Sequence, residues 1–472
     1  MGTMRVSHAP QLTVEMTTGG AVRPGTELKH LAWLAAPIIA VNLGNVLIGL
    51  VDHAVVGRLG EIEFGAVGLG DAVYFSVTII GLGIMLGLDP LIAQAIGADE
   101  PRRARRLYWQ GLYIALLVGA PLTIMTLGVI TAMSWVGIEE PTVRHMAPYV
   151  YARLPSLIPF LMFVGSRSYL QAHEITRPIV IGVILANAAN LPASWLLVFG
   201  DAGLARLGLP ALGVPALGTA GAGLASTAAV LVQLLILLVV VGRVAVPAGE
   251  PVRRPEAGLI WRALKLGAPM GLQLLAEVGV FFAVGVLMGN IGSAALAGHN
   301  AALKLASTTF MVPLGIGAAA AVRVGHAVGR GDVAGTRLAG AVAIVSGACV
   351  MVFGALAFVL FPGSLAAILS DRPTVIAAAV PLILIAAVFQ VSDGIQAVAF
   401  GALRGAGDTR FPMWANVVGH YLIGLPLGIG LAFGLGLFAA GLWWGLSAGL
   451  TAVAVALTVR FLWVSARPVE RV

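Results

Sequence analysis

Twelve apolar runs follow one another along the chain, near 31–56, 63–96, 107–135, 148–170, 178–200, 217–242, 263–289, 294–328, 338–361, 374–403, 411–433 and 436–463. Apolar positions within them do not alternate with a period of two, so the pattern predicts helices rather than barrel strands. About 20 residues at 1.5 Å each span a hydrocarbon core of roughly 30 Å, which every run can do. The breaks carry turn chemistry, as in Gly57-Arg58-Leu59-Gly60 and Gly329-Arg330-Gly331-Asp332. The predicted fold class is an all-α polytopic membrane protein with twelve transmembrane helices.

Composition narrows the class further. Of 472 residues, 59% are hydrophobic and 10% charged, whereas soluble domains are about 25% charged. So little polar surface suits lipid, where backbone groups must be paired within the chain. Residues 1–28 are polar and lack the apolar core of a signal peptide, so the first helix is expected to be retained. The single cysteine, Cys349, excludes a disulfide within the chain and a cysteine-based metal cluster.

The net charge of +7 resides largely in short loops between runs. Arg102, Arg103, Arg105 and Arg106 follow the second run, and Arg243, Arg253, Arg254, Arg262 and Lys265 surround the sixth break. The opposite loops hold little more than Arg58, Arg144, Arg206 and Arg372. This bias reads as membrane topology rather than nucleic-acid binding, and it puts both termini in the cytoplasm of a multi-pass cell-membrane protein.

The longest polar break, 243–262, carries Pro247, Pro251 and Pro255 and divides the runs into six and six. The expected organisation is a tail at 1–30, an N-lobe at 31–243, a linker at 244–261, a C-lobe at 262–463 and a tail at 464–472. The halves resemble each other at a shift of 232 residues. Ala36-Pro37 then falls on Ala268-Pro269, Leu82-Gly83-Ile84 on Leu314-Gly315-Ile316, and Gly97 on Gly329. Two six-helix lobes of one orientation imply a pseudo-twofold axis along the membrane normal and a cleft that rocks between the two sides.

An ionisable side chain at the bilayer centre costs about 2.5–3.5 kcal/mol on insertion scales and needs a reason. Glu277 lies mid-run in Leu274-Leu275-Ala276-Glu277-Val278, with no basic residue one turn away. A carboxyl there suits exchange of a proton or a cation. Asp393 is mid-run in Gln390-Val391-Ser392-Asp393-Gly394; it is either functional or paired structurally with Lys304 or Arg404. Asp52 is either functional or a residue near the interface. Lys304 reads as a counter-ion. His299 and His420 read first as hydrogen-bonded packing residues. Asn187, Asn190 and Ser194, at helical spacing around Pro192, form either a polar site or a helix–helix hydrogen bond. No phosphate-binding loop, nucleophile turn or metal-ligand spacing points to an enzyme or a cofactor.

The sequence from Ala297-Gly298-His299-Asn300 through Pro313-Leu314-Gly315-Ile316-Gly317 to Arg323-Val324-Gly325-His326 resembles the multidrug and toxic compound extrusion (MATE) transporters, in particular their NorM-like branch. So do Phe389 to Gln396, Gly401 to Thr409, Val51 to Gly60, and Tyr169-Leu170-Gln171-Ala172. The resemblance runs from about residue 30 onward. It implies an antiporter exporting organic cations in exchange for Na⁺ or H⁺, with Glu277, Asp393 and Asp52 as cation-coupling acids. Asp52 and Asp371 are implied drug contacts, with Asp371 near the outer mouth. Phe389 stands where some members have tyrosine, His53 where threonine is common, and Ser194 where asparagine or aspartate is usual.

The expected mechanism binds a hydrophobic cation in the cleft. Phe281, Phe282 and Met288 are candidates for adaptable apolar contact, or are simply packing residues. The expected partners are small organic cations and the lipid bilayer, with the protein acting as a monomer. A lipid-linked precursor flippase is the rival reading. It would favour a strongly basic cleft, whereas this sequence places acids mid-membrane.

Overall fold

The computed structural model describes residues 23–133, 140–247 and 253–472. Residues 1–22 of the expected tail, the loop at 134–139 and residues 248–252 of the expected linker lie outside the described residues. Twelve helices are long and apolar enough to cross a membrane: α1 Pro24–Val56, α2 Glu61–Gly97, α3 Pro101–Met133, α4 Glu140–Ala172, α5 Arg177–Phe199, α6 Thr219–Arg243, α7 Ala257–Ile291, α8 Ser293–Gly329, α9 Val333–Leu360, α10 Pro373–Gly405, α11 Arg410–Gly434 and α12 Phe438–Val464. Among the described residues there is no strand.

These match the apolar runs one for one. The bounds differ most at starts, because polar first turns extend helices beyond their apolar stretch. Thus α1 begins at Pro24, with Glu27 in its first turn, where a fixed φ and an acidic group both favour initiation. Short helices Asp201–Ala205 and Pro362–Leu369 occupy loops read from sequence only as breaks.

Three long helices depart from regular α geometry. The α2 helix is interrupted at Leu86-Gly87. The α4 helix passes through a tighter turn at Leu154–Ser156, where Pro155 removes a backbone donor and crowds the carbonyl four residues earlier. In α11 the segments Val418–Gly424 and Gly430–Gly434 widen into π-helix, a distortion often found at functional positions.

The chain divides into two compact units. The first comprises Ala40–Leu88 and Pro101–Gly271. Within it α2 meets the start of α7 through glycines. A Cβ on Gly83 would lie 2.3 Å from the Gly271 Cα, so only hydrogen fits there. The second unit comprises Asp89–Glu100, Leu272–Val472 and the described residues 23–39. Its α8 and α10 are pressed together in the same way, since a Cβ on Gly401 would lie 2.0 Å from the Gly317 carbonyl oxygen. Small residues allow this approach, and dispersion between closely packed helices drives association where lipid is as apolar as the helix surface.

The initial turns of α1 and the final segment of α2 are tied into the second unit by polar contacts. Arg323 donates to both carboxylate oxygens of Glu27, from Nε at 2.9 Å and Nη2 at 2.7 Å. Arg404 Nε lies 3.5 Å from an Asp89 oxygen, and Gln94 Nε2 donates to the Gly405 carbonyl at 3.0 Å. Glu27 is buried, so neutralising it takes a carboxylate away from the Arg323 guanidinium. Glu27→Gln is expected to cost about 3 kcal/mol, read as a lower midpoint of thermal unfolding in detergent.

Outside the spans, Asp201 organises the loop between α5 and α6. Its carboxylate accepts from the backbone N–H groups of Leu212 at 3.0 Å, Val214 at 3.1 Å and Gly213 at 3.0 Å. These donors, Leu212 foremost, hold the carboxyl below the ordinary aspartate range. A lowered folded-state pKa contributes stability above the unfolded value, lost as pH falls through the folded value. Amide exchange at 212–214 is therefore expected to accelerate only in strong acid for wild type, and already at neutral pH for Asp201→Ala.

Candidate functional site

Acids without basic partners mark the second unit. Glu277 sits on α7, one helical turn before Phe281. Its carboxylate accepts from Asn416 Nδ2 of α11 at 3.3 Å. Asn416 is fully buried and lies two residues before the first π-helical segment. In that segment Tyr421 donates its hydroxyl hydrogen to the Ala276 carbonyl at 2.9 Å, fixing α11 against α7 beside Glu277. Asp393, on α10, is buried.

Neither alternative structural partner of Asp393 pairs with it. Arg404 pairs with Asp89, and Lys304 is exposed, with no ion pair among the described residues. The counter-ion role expected of Lys304 therefore has no carboxylate in reach. Phe389 is buried with its ring centroid 5.5 Å from that of Trp443, and His299 accepts from the Trp443 indole N–H at 3.1 Å. His299 is thus a hydrogen-bonded packing residue. His420 is buried, with no hydrogen-bond partner at either ring nitrogen.

The apolar candidates divide. Met288 is fully buried and Phe281 packs against the same cluster, whereas Phe282 is 73% exposed and points away from it. Successive residues on a helix are rotated by about 100°, so adjacent phenylalanines on α7 serve different surroundings. Asp371 is exposed ahead of α10. Asp393 lies twenty residues into that helix, roughly 30 Å along its axis, so the two acids do not share a site.

The first unit builds its site around Asp52 near the end of α1. Asp52 is fully buried. Ser194 of α5 donates to Oδ1 at 3.0 Å, and Ser226 of α6 donates to Oδ2. Asn190, one turn before Ser194, is buried with neither amide atom partnered. Asn187 Nδ2 donates to the Gly44 carbonyl of α1 and, within α5, to that of Val183, both at 2.9 Å, while its Oδ1 is buried without a partner. Carboxylate, hydroxyl and carbonyl oxygens together form a donor set suited to a hard cation or a proton.

Sequence reasoning missed three members of this neighbourhood. Asp71 and Arg153 are charged residues inside apolar runs, so the same search that found Glu277 was enough to find them. Ser226 had no signal of its own in a run rich in small residues.

The MatE family model matches twice, at residues 37–196 and 269–429. The chain belongs to the MatE family. The two matches begin 232 residues apart, the shift at which the halves resemble each other. The "Probable multidrug resistance protein NorM" of Mesorhizobium japonicum is 37% identical, over 92% of this chain and 94% of that protein. The "Multidrug resistance protein NorM" of Aliivibrio fischeri is 30% identical, over 94% and 96%. In fold, the chain is similar to the eukaryotic MATE transporter AtDTX14, with a TM-score of 0.82 at 22% identity, covering 95% of this chain and 99% of that one.

The unpartnered amide of Asn190 separates packing from ligation. A buried unsatisfied polar group costs about 1–3 kcal/mol, so an apolar replacement of similar shape is neutral or stabilising for the fold alone. Asn190→Leu is expected to melt at or above the wild-type temperature, measured by thermal unfolding in detergent.

Proposed function

We propose that this MatE family protein is a secondary active antiporter, exporting hydrophobic organic cations from the cytoplasm in exchange for Na⁺ or H⁺. The observation that carries this reading is the pair Glu277 and Asp393, two carboxyls on the membrane-spanning helices α7 and α10 with no basic residue within ion-pair distance among the described residues. Such a pair is poorly satisfied when both groups are ionised and gains from taking up a proton or a metal cation. Asp52 supplies a second carboxyl in the first unit, held by two hydroxyl groups. The multidrug-resistance names of relatives spanning nearly the whole chain support the substrate class.

Exchange follows from linkage. The inward-open and outward-open forms must differ in affinity for cation and for drug, so that loading one favours release of the other. Inward movement of one unit charge contributes about 2.3 kcal/mol per 100 mV, enough to concentrate a neutral drug roughly 50-fold. A cationic drug exchanged one for one draws on the ion gradient alone. Two lobes rocking about a cleft, with both termini cytoplasmic, form the expected vehicle.

The reading is tested by ethidium accumulation in a drug-sensitive bacterium and by imposed Na⁺ and H⁺ gradients in proteoliposomes. Wild type is expected to lower accumulation and to require one of the two gradients. Glu277→Gln and Asp393→Asn are each expected to lose gradient-driven export while still reaching the membrane. Export by both variants at the wild-type rate would sink the coupling assignment.

A further inference from the structure

Beside Asp52 lies a cluster of charged groups that the exchange reading leaves unused. Arg153 of α4 donates from Nη1 to Asp71 Oδ1 on α2, and from the same nitrogen to the Tyr149 hydroxyl at 2.6 Å. The Tyr149 hydroxyl in turn donates to Asp71 Oδ1 at 2.7 Å. His53 Nδ1 lies 3.5 Å from the other Asp71 oxygen and 2.8 Å from the Gly49 carbonyl. The guanidinium also rests over the Tyr74 ring, 4.5 Å from its centroid, and its Nε has no partner.

The backbone bends at this point. Arg153 is the last residue before the Leu154–Ser156 turn, and the Ser156 hydroxyl both donates to the Arg153 carbonyl at 2.6 Å and meets the Tyr74 hydroxyl at 2.8 Å. A mid-helix turn of this kind often marks a functional position. The Asp71–Arg153 pair is carried beside Asp52 from two sides: Thr227, which follows the Ser226 that donates to Asp52, donates to the Ala152 carbonyl at 2.7 Å, and His53, which follows Asp52, meets Asp71. With the His53 imidazole neutral, two carboxylates and one guanidinium leave one unbalanced negative charge, whereas Glu277 and Asp393 have no basic group to offset them.

We propose that the Asp71–Arg153 pair sets the charge of the first-unit acid site, so that Asp52 takes up one monovalent cation and no more. This rests on Asp52 being a cation carrier, as proposed above. Arg153 acts as a positioning residue, since it reaches the cation only through the field it exerts on Asp52. Its Nη1, held by Asp71 and Tyr149, and its seat over the Tyr74 ring keep that field fixed.

A charge cycle in purified protein and proteoliposomes tests the idea. The readouts are protons bound per chain across the physiological pH range, by potentiometric titration, and gradient-driven ethidium transport. Arg153→Gln uncovers a second carboxylate and is expected to bind one proton more than wild type. Asp71→Asn leaves Asp52 facing an unpaired guanidinium and is expected to bind one fewer. Both are expected to transport poorly, and the double variant Asp71→Asn/Arg153→Gln, with the surplus charge restored, is expected to regain the wild-type proton count and transport.

A pair serving only as a structural tie gives lower melting temperatures in both single variants, unchanged proton counts and no recovery in the double variant; that result overturns the proposal. Asp52→Asn separates the two levels. If it transports and binds protons as wild type does, the assignment of Asp52 itself fails. If it is inactive while Asp71→Asn and Arg153→Gln match wild type, only the charge-setting role fails.

Discussion

Lipid does not solvate charge, and most of what distinguishes one helix of this protein from another follows from how it meets that constraint. A carboxylate withdrawn from water loses hydration worth several kcal/mol and must recover it from hydrogen bonds, an opposite charge or a bound cation. Glu27 recovers it from both nitrogens of one side of Arg323, Asp89 from Arg404, and Asp71 from Arg153 and Tyr149. These pairs tie helix ends and helix faces together. Asp52, Glu277 and Asp393 recover less from fixed partners, with hydroxyl or amide donors to the first two rather than an opposite charge.

The two units meet the deficit differently. In the first, Asp52 accepts from short hydroxyl side chains of α5 and α6, with Asn190 unpartnered one turn from Ser194. In the second, Glu277 receives a single amide hydrogen bond from Asn416, and Asp393 is buried without an ion pair among the described residues. The wall that carries Asn416 widens into π-helix immediately afterwards, where Tyr421 bonds to the backbone of α7. A repeated six-helix plan therefore does not produce equivalent sites. Each half has its own balance of charge, and the balance is set by residues off the repeat's matching positions.

Close helix packing supplies the rigidity on which those sites depend. Gly317 and Gly401 let α8 and α10 approach until no side chain fits between them, which holds Asp393 on a firmly seated helix. Gly83 and Gly271 do the same for α2 and α7. In water such an approach would be driven by burying apolar surface. In lipid, contact between well-matched small surfaces has to supply it.

The sequence by itself determined the twelve helices, their order and the family, because span length, apolar content and turn chemistry are local properties that no packing arrangement can override. It also revealed Glu277, Asp393 and Asp52, since an acid in an apolar run is visible without knowing its neighbours. Which acids have partners was decided only by the tertiary structure. Lys304 and Arg404 were equal candidates to neutralise Asp393 until the fold turned one outward and gave the other to Asp89. Asp371 and Asp393, on the same short stretch of sequence, are set far apart by the length of α10. Ser226 and Asp52 meet although 174 residues separate them. Pairing between distant helices depends on rotation about each axis and on a few ångströms of approach, and neither is written in the pattern of any single helix.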